Sequence, residues 1–343
     1  MANLFKPIKI GALQLQNRIE EYYSQRYAAP GTLLTTEATY ISPGSAGAPL
    51  PGDGIVPKVG WKRVFDKVHA NDSKIFLQLW DIGRVAWAAK LKELGDYVPL
   101  GPSAVPQEGD EQAVGHLRAL TPDEIKEKIQ LYAQAAKNAI EAGADGGEIH
   151  GATGYLPDSF LRSKSNLRTD GYGGSVENRS RFILELVDAV SAAVGPERTA
   201  LRLSPWSTFQ DIFVDRSETP EQFTHLIGEL QKRADNGKEL AYLHLVEARG
   251  DFRDNTFPEW QDNEQFRDIW KGNLIRAGGY TRETAIKDAD KANNTLISFG
   301  RHFLANPDLV EKFKNDYPLN KYDRNTFYVP GAKGYIDYPT DAV

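Results

Sequence analysis

Asp145-Gly-Gly-Glu-Ile-His-Gly-Ala-Thr-Gly-Tyr155 carries a strand-length run that ends in a glycine-rich turn, directly behind the amphipathic stretch Pro122 to Ala142. A helical pattern followed by a short run is one unit of an alternating α/β fold, and the unit recurs along the chain. The strands read as Arg18-Ile19 at most, then Leu33 to Glu37, Lys74 to Trp80, Asp145 to His150, Thr199 to Leu203, Ala241 to Val246, Leu274 to Ala277 and Leu296 to Phe299. Between them Gly60 to Ala70, Pro122 to Ala142, Val176 to Val194 and Pro220 to Ala234 space their apolar residues as helices do. Eight such units predict a (β/α)8 TIM barrel with a truncated first strand, formed by residues 1–343 as a single domain.

Local signals agree with that frame. Thr121-Pro-Asp-Glu124 sets a capping threonine before a proline at the first helical position, and Thr219-Pro-Glu-Gln222 repeats the arrangement. Two long loops follow strands, at about 42–54 and 93–117, where a barrel builds its site; they read as substrate-facing lids or as surface insertions. A tail of about 316–343 closes the chain.

Composition narrows the chemistry. Lys and Arg number 41 against 47 Asp and Glu, a net charge of −6 with no long run of like charge, which argues against nucleic acid as a partner. Cysteine is absent, so disulfides, thiol nucleophiles and zinc–thiolate sites are excluded. The first ten residues do not read as a secretory signal, and no stretch approaches the ~20 apolar residues of a membrane helix. The expectation is a soluble cytoplasmic protein that acts on a small molecule.

Chemistry concentrates at strand ends. His150, Thr153 and Tyr155 place an imidazole, a hydroxyl and a phenol within six residues. The first two can hold a developing oxyanion while the phenol, protonated at neutral pH, delivers a proton to a neighbouring carbon. Gly278-Gly279 follows the seventh strand and Gly300-Arg301 the eighth, the positions where this fold often binds phosphate. Gln78 and Arg202 interrupt apolar runs; an inward arginine needs an anionic ligand or a buried partner, and Gln78 fits a ligand contact or a structural hydrogen bond.

Taken together, these residues resemble the old yellow enzyme family of FMN-dependent ene reductases, most closely the fungal branch that includes ergot alkaloid pathway enzymes. The match runs from Leu4-Phe-Lys-Pro-Ile-Lys-Ile-Gly11 and Asn17-Arg-Ile19 through Glu21-Tyr-Tyr-Ser-Gln-Arg26, Thr36-Glu-Ala-Thr39 and Leu77-Gln-Leu-Trp80. It continues in Glu148-Ile-His150, Asn166-Leu-Arg-Thr-Asp170, Tyr172-Gly-Gly-Ser175, Glu177-Asn-Arg179 and Gly334-Tyr-Ile-Asp-Tyr-Pro339. The resemblance implies a barrel holding FMN, with Gln78 and Arg202 on the pyrimidine edge, Ala38 near the ring, and Gly278, Gly279, Gly300 and Arg301 around the phosphate. It implies that His150 and Thr153 bind the carbonyl oxygen of an unsaturated aldehyde or ketone, that Tyr155 protonates its α-carbon, and that NAD(P)H is the reductant.

Three positions depart from the family pattern. Thr153 stands where the family has Asn or His, and Gly147 where it has a β-branched residue. Ile19 is joined directly to Glu20, without the flavin-contacting segment that ordinarily follows the first strand. That gap keeps a second expectation open: a flavin-deficient barrel acting as an isomerase, a cyclase or a ligand-binding protein through His150, Thr153 and Tyr155.

Overall fold

Phe76 and Tyr242 lie on strands that are not neighbours, yet their rings are 5.2 Å apart. They meet across the inside of a closed barrel. The computed structural model describes residues 8–10, 13–15, 19–20, 26, 29–47, 58–110, 113–212, 217–248, 262–327 and 333–340, the first three segments and residues 58–59 by their backbone alone.

The barrel strands are β1 (Ile19–Glu20), β2 (Leu33–Thr35), β3 (Lys74–Trp80), β4 (Gly146–Gly151), β5 (Thr199–Leu203), β6 (Tyr242–Val246), β7 (Leu274–Ala277) and β8 (Thr295–Ser298). Each pairs in parallel with the next, and β8 returns to β1 through Ile297 opposite Ile19. The truncated first strand therefore survives as two residues, and the ring still closes. Ahead of it, Ile8–Ile10 and Leu13–Leu15 form an antiparallel hairpin.

Two apolar layers hold the barrel. Leu33, Phe76, Ala200, Tyr242, Ile275 and Leu296 fill one end of its interior. A larger cluster packs the outer faces of the strands against helices, with Leu79, Ile149 and Leu201 meeting Tyr132, Phe182 and Leu186. The two glycines that open β4 show the division between these layers. A Cβ on Gly146 would lie 2.2 Å from Phe76, in the interior, whereas one on Gly147 would lie 3.3 Å from Leu79 and 3.8 Å from Ala136 on the outer side.

The helices follow their sequence signals closely. Pro122–Ala142 opens with a capping box in which the Thr121 hydroxyl accepts from Glu124 N–H and the Glu124 carboxylate accepts from Thr121 N–H. Val176–Val194 has the predicted bounds, and Lys58–His69 lies within two residues of its expected ones. The second proline-marked start differs. The helix is Glu218–Asp235, so Thr219 is inside its first turn and not its cap. Glu218 accepts from Ser163 Oγ at 2.7 Å and meets Arg179 at 3.0 Å, which fixes the chain in helical form one residue before Thr219. Pro220 is tolerated there because first-turn N–H groups have no intrahelical partner.

Other boundaries shift for local reasons. β2 stops at Thr35 because Thr36 turns its hydroxyl into the ladder, accepting from Gln78 N–H at 2.9 Å; pairing with β3 resumes at Thr39–Tyr40. The loop expected from Glu93 begins inside the helix Ala88–Gly95, which Asp96 ends in a left-handed conformation. Residues 48–54 and 111–112 of the long loops lie outside the described residues. Among the described residues no helix is long and apolar enough to cross a membrane.

Candidate active site

The carboxyl ends of β3 to β6 carry a polar layer just above the apolar interior. Strand register builds it: Gln78 is paired with Glu148, Arg202 with His150 on one side, and Arg202 with His244 on the other. In a strand alternate residues share a face, so Tyr242 in the apolar layer puts His244 inside as well.

These side chains form one chain of contacts. Gln78 Nε2 donates to Glu148 Oε1 at 2.6 Å. His244 Nδ1–H donates to Glu148 Oε2 at 2.8 Å, and Arg202 Nη1 donates to His244 Nε2 at 3.2 Å, a tautomer assigned from these partners. Glu148 and His244 have no exposed surface. Burial alone would push the Glu148 carboxyl up; the hydrogen bond from His244, the Arg202 charge and the Gln78 amide outweigh it and hold the group below its ordinary value. Burial and the neighbouring Arg202 charge push His244 down, so it stays neutral between an anion and a cation.

Above this layer the structure brings His150 and Tyr155 together, with ring centroids 4.8 Å apart at 87°. Trp80 completes the group, 4.9 Å from Tyr155 edge-on and 6.4 Å from His150, and Tyr40 stacks behind it at 4.8 Å. Ala38 packs against the same cluster. Burial, and then the charge of Arg202, pull the His150 imidazole down to about 3, so at neutral pH it offers one N–H and one lone pair.

Thr153 sits between His150 and Tyr155 with φ at +56°, in the left-handed region that costs a β-branched residue most. The strain is held by neighbours. Thr153 N–H donates to Ser204 Oγ at 2.7 Å, and Gly154 N–H, at φ +84°, donates to Asp158 Oδ2 at 2.9 Å. Buried Arg162 bonds Asp158 and the carbonyls of Ser204 and Pro205, locking the turns after β4 and β5 to each other.

The expected phosphate loops are adjacent. Ala277 and Ser298 are register partners, so Gly278-Gly279 and Gly300-Arg301 leave the barrel side by side. Gly278 and Gly279 have φ of +134° and +71°, and Gly300 caps the helix Arg301–Ala305. Arg301 donates to Tyr322 Oη at 3.2 Å and lies over its ring, as Arg324 also does.

Three buried nitrogens of the site lack hydrogen-bond partners among the described residues: Trp80 Nε1 on the aromatic wall and two on the polar rim, Arg202 Nε and His150 Nδ1. Unpaired buried groups are rare and costly, and the latter two belong to the rim where a flat polar ligand would lie above the Gln78–Glu148–His244–Arg202 layer. The residues present therefore fit a flavin. His244, Ser204 and Trp80 escaped the sequence reading. His244 was detectable, since it alternates with Tyr242 on an inward face; Ser204 was not, because its partner is a backbone N–H set by strain at Thr153.

The family model described as the NADH:flavin oxidoreductase / NADH oxidase family matches residues 19–320. Enoate reductase 1 of Kluyveromyces lactis is 42% identical over 379 residues, covering 98% of this chain and 94% of that protein. A Claviceps purpurea protein named "Probable inactive dehydrogenase easA" is 43% identical, over 94% of this chain and 85% of its own. Among solved structures, Old Yellow Enzyme from Pichia sp. AKU4542 aligns with a TM-score of 0.88 at 37% identity, over 100% of this chain and 94% of that one. Morphinone reductase aligns with a TM-score of 0.86 at 36% identity, over 99% and 96%.

Proposed function

The chain belongs to the NADH:flavin oxidoreductase family, which includes old yellow enzyme, and from that premise we propose that it reduces the C=C bond of an α,β-unsaturated aldehyde or ketone. The family's cofactor is FMN and its reductant NAD(P)H; when bound, FMN supplies the hydride chemistry. Gln78 and Arg202 would meet its pyrimidine edge, Ala38 its ring, and Gly278, Gly279, Gly300 and Arg301 its phosphate.

The observation that carries the reading is the edge-to-face contact of Tyr155 with His150 at 4.8 Å. A neutral His150 N–H and the Thr153 hydroxyl would bind the substrate carbonyl oxygen and stabilise the negative charge that develops there. The Tyr155 phenol, on the same side, would give its proton to the α-carbon. Trp80 and Tyr40 supply a flat apolar wall suited to a cyclic or conjugated substrate. Likeness to the fungal branch that includes ergot alkaloid enzymes supports a place in fungal secondary metabolism.

A two-residue β1 favours one other reading, in which the barrel turns over substrate without flavin as an isomerase or cyclase. Anaerobic turnover of a cyclic enone in D2O separates the two. The reductase reading expects consumption of one NAD(P)H per saturated product, with solvent deuterium at the α-carbon. Conversion of the enone without FMN or NAD(P)H would establish the other.

A further inference from the structure

Part-buried Arg202 differs from three buried arginines in how its charge is met. Arg162 touches Asp158 at 2.9 Å, Arg276 touches Glu247 at 2.6 Å, and Arg179 touches Glu218 at 3.0 Å. Arg202 has no such direct carboxylate among the described residues; its anion is Glu148, one imidazole away. His244 is neutral, so it transmits orientation without adding charge. Glu148 is itself fixed by a second bond, from Gln78.

From this geometry we infer that Glu148 and His244 are positioning residues that set how much positive charge Arg202 presents to the pyrimidine end of FMN. The inference rests on the proposed placement of the flavin over Gln78 and Arg202. A carboxylate in direct contact would neutralise the guanidinium, and an arginine with no anion nearby would present its full charge. The imidazole spacer gives an intermediate value and stops the guanidinium from swinging onto Glu148. Coulomb interaction at short range in a buried site makes such a change of partner strongly felt.

Two substitutions then act in opposite directions. Glu148→Gln keeps the shape and the bond from Gln78 but removes the negative charge, so the more negative reduced cofactor gains affinity relative to FMN. His244→Ala opens the path for Arg202 to pair directly with Glu148, so the reduced cofactor loses affinity relative to FMN. Each ratio should move at least tenfold, which for a two-electron couple is about 30 mV in midpoint potential, upward for Glu148→Gln and downward for His244→Ala.

The test is the midpoint potential of the FMN-loaded wild type and both variants by equilibration with a reference dye. Alongside it, ¹⁵N NMR of the wild-type apoprotein reports the His244 tautomer. Opposite shifts, with a neutral Nδ1-protonated His244, are the expected result. Shifts of the same sign, or ratios unchanged within about twofold, overturn the inference, since a merely structural role does not reverse sign between the two. An imidazolium or an Nε2-protonated His244 also overturns it, and that arm stands even if a variant fails to fold. A wild-type chain that takes up no FMN contradicts the flavin reading itself and removes the inference with it.

Discussion

His150 and Tyr155 meet edge to face, with centroids 4.8 Å apart, although a strained threonine and a glycine lie in the turn between them. The contact exists because Asp158 and Ser204 take the N–H groups of Gly154 and Thr153 and force the chain back on itself. Two proton-handling groups thus face one spot above the barrel.

Tyr155→Phe keeps the ring that packs on Trp80 and His150 and removes only the phenol. Enone turnover should fall by about a hundredfold or more, the usual scale of general acid catalysis. The rate at which NAD(P)H bleaches the bound flavin should be unchanged. Stopped-flow measurement of the two half-reactions checks both statements, and an equal loss in each would contradict a proton-donor role.

Thr153→Asn should stabilise the protein and improve the oxyanion grip together. Asparagine adopts the left-handed conformation more readily than a β-branched residue and carries a longer-reaching amide donor. The expected gain is about 1 kcal/mol in unfolding free energy, with kcat/KM for an enone rising several-fold. Chemical denaturation and steady-state kinetics measure the two effects separately. A loss of stability would show that φ +56° is not a source of strain here.

Acid should weaken the fold through the same buried layer. His150 is held at about 3 in the folded protein and returns to about 6.5 on unfolding, so below pH 6.5 the unfolded chain binds the extra proton and stability falls. The slope approaches about 1.4 kcal/mol per pH unit for this one group, and His244 acts in the same direction. Glu148, held below its ordinary value of 4.5, adds a further loss as the pH falls below 4.5. His150→Asn should flatten the decline between pH 6.5 and 5. An unchanged slope in denaturation experiments across that range would mean that His150 is already charged when folded.

The paired glycines of β4 should respond unequally to alanine. At Gly146 a Cβ would stand 2.2 Å from Phe76 and 2.6 Å from the Arg198 carbonyl, so Gly146→Ala should cost about 2 kcal/mol or more. At Gly147 the nearest atom is a Leu79 methyl at 3.3 Å, which can yield. Recovery of backbone entropy then leaves Gly147→Ala within about 1 kcal/mol of the natural protein. Thermal melts of the two variants decide the matter, and comparable losses would place both glycines on the same face.

Much of this was legible in the sequence. Runs such as Lys74 to Trp80 and Thr199 to Leu203 match their strands residue for residue, because a parallel barrel strand is buried on both faces and reads as a mostly apolar segment even with Gln78 or Arg202 inside it. The helix Pro122–Ala142 announced itself by its capping box. What stayed hidden depends on contacts between distant segments. Glu218 starts its helix early because Ser163 and Arg179 hold it, and nothing near Thr219 records that. The site was half visible: His150, Thr153 and Tyr155 lie within six residues, whereas the link from Arg202 through His244 to Glu148 spans three strands and appears only when the barrel closes.

Whether a barrel with a first strand of two residues works through FMN is open to direct measurement. The absorption spectrum of the purified protein, titrated with FMN under anaerobic conditions, tests it most directly. The expected result is a bound-flavin spectrum that bleaches on addition of NAD(P)H and returns when a cyclic enone is added. A colourless protein that FMN cannot reconstitute, or a bound flavin that the enone fails to restore, would contradict it.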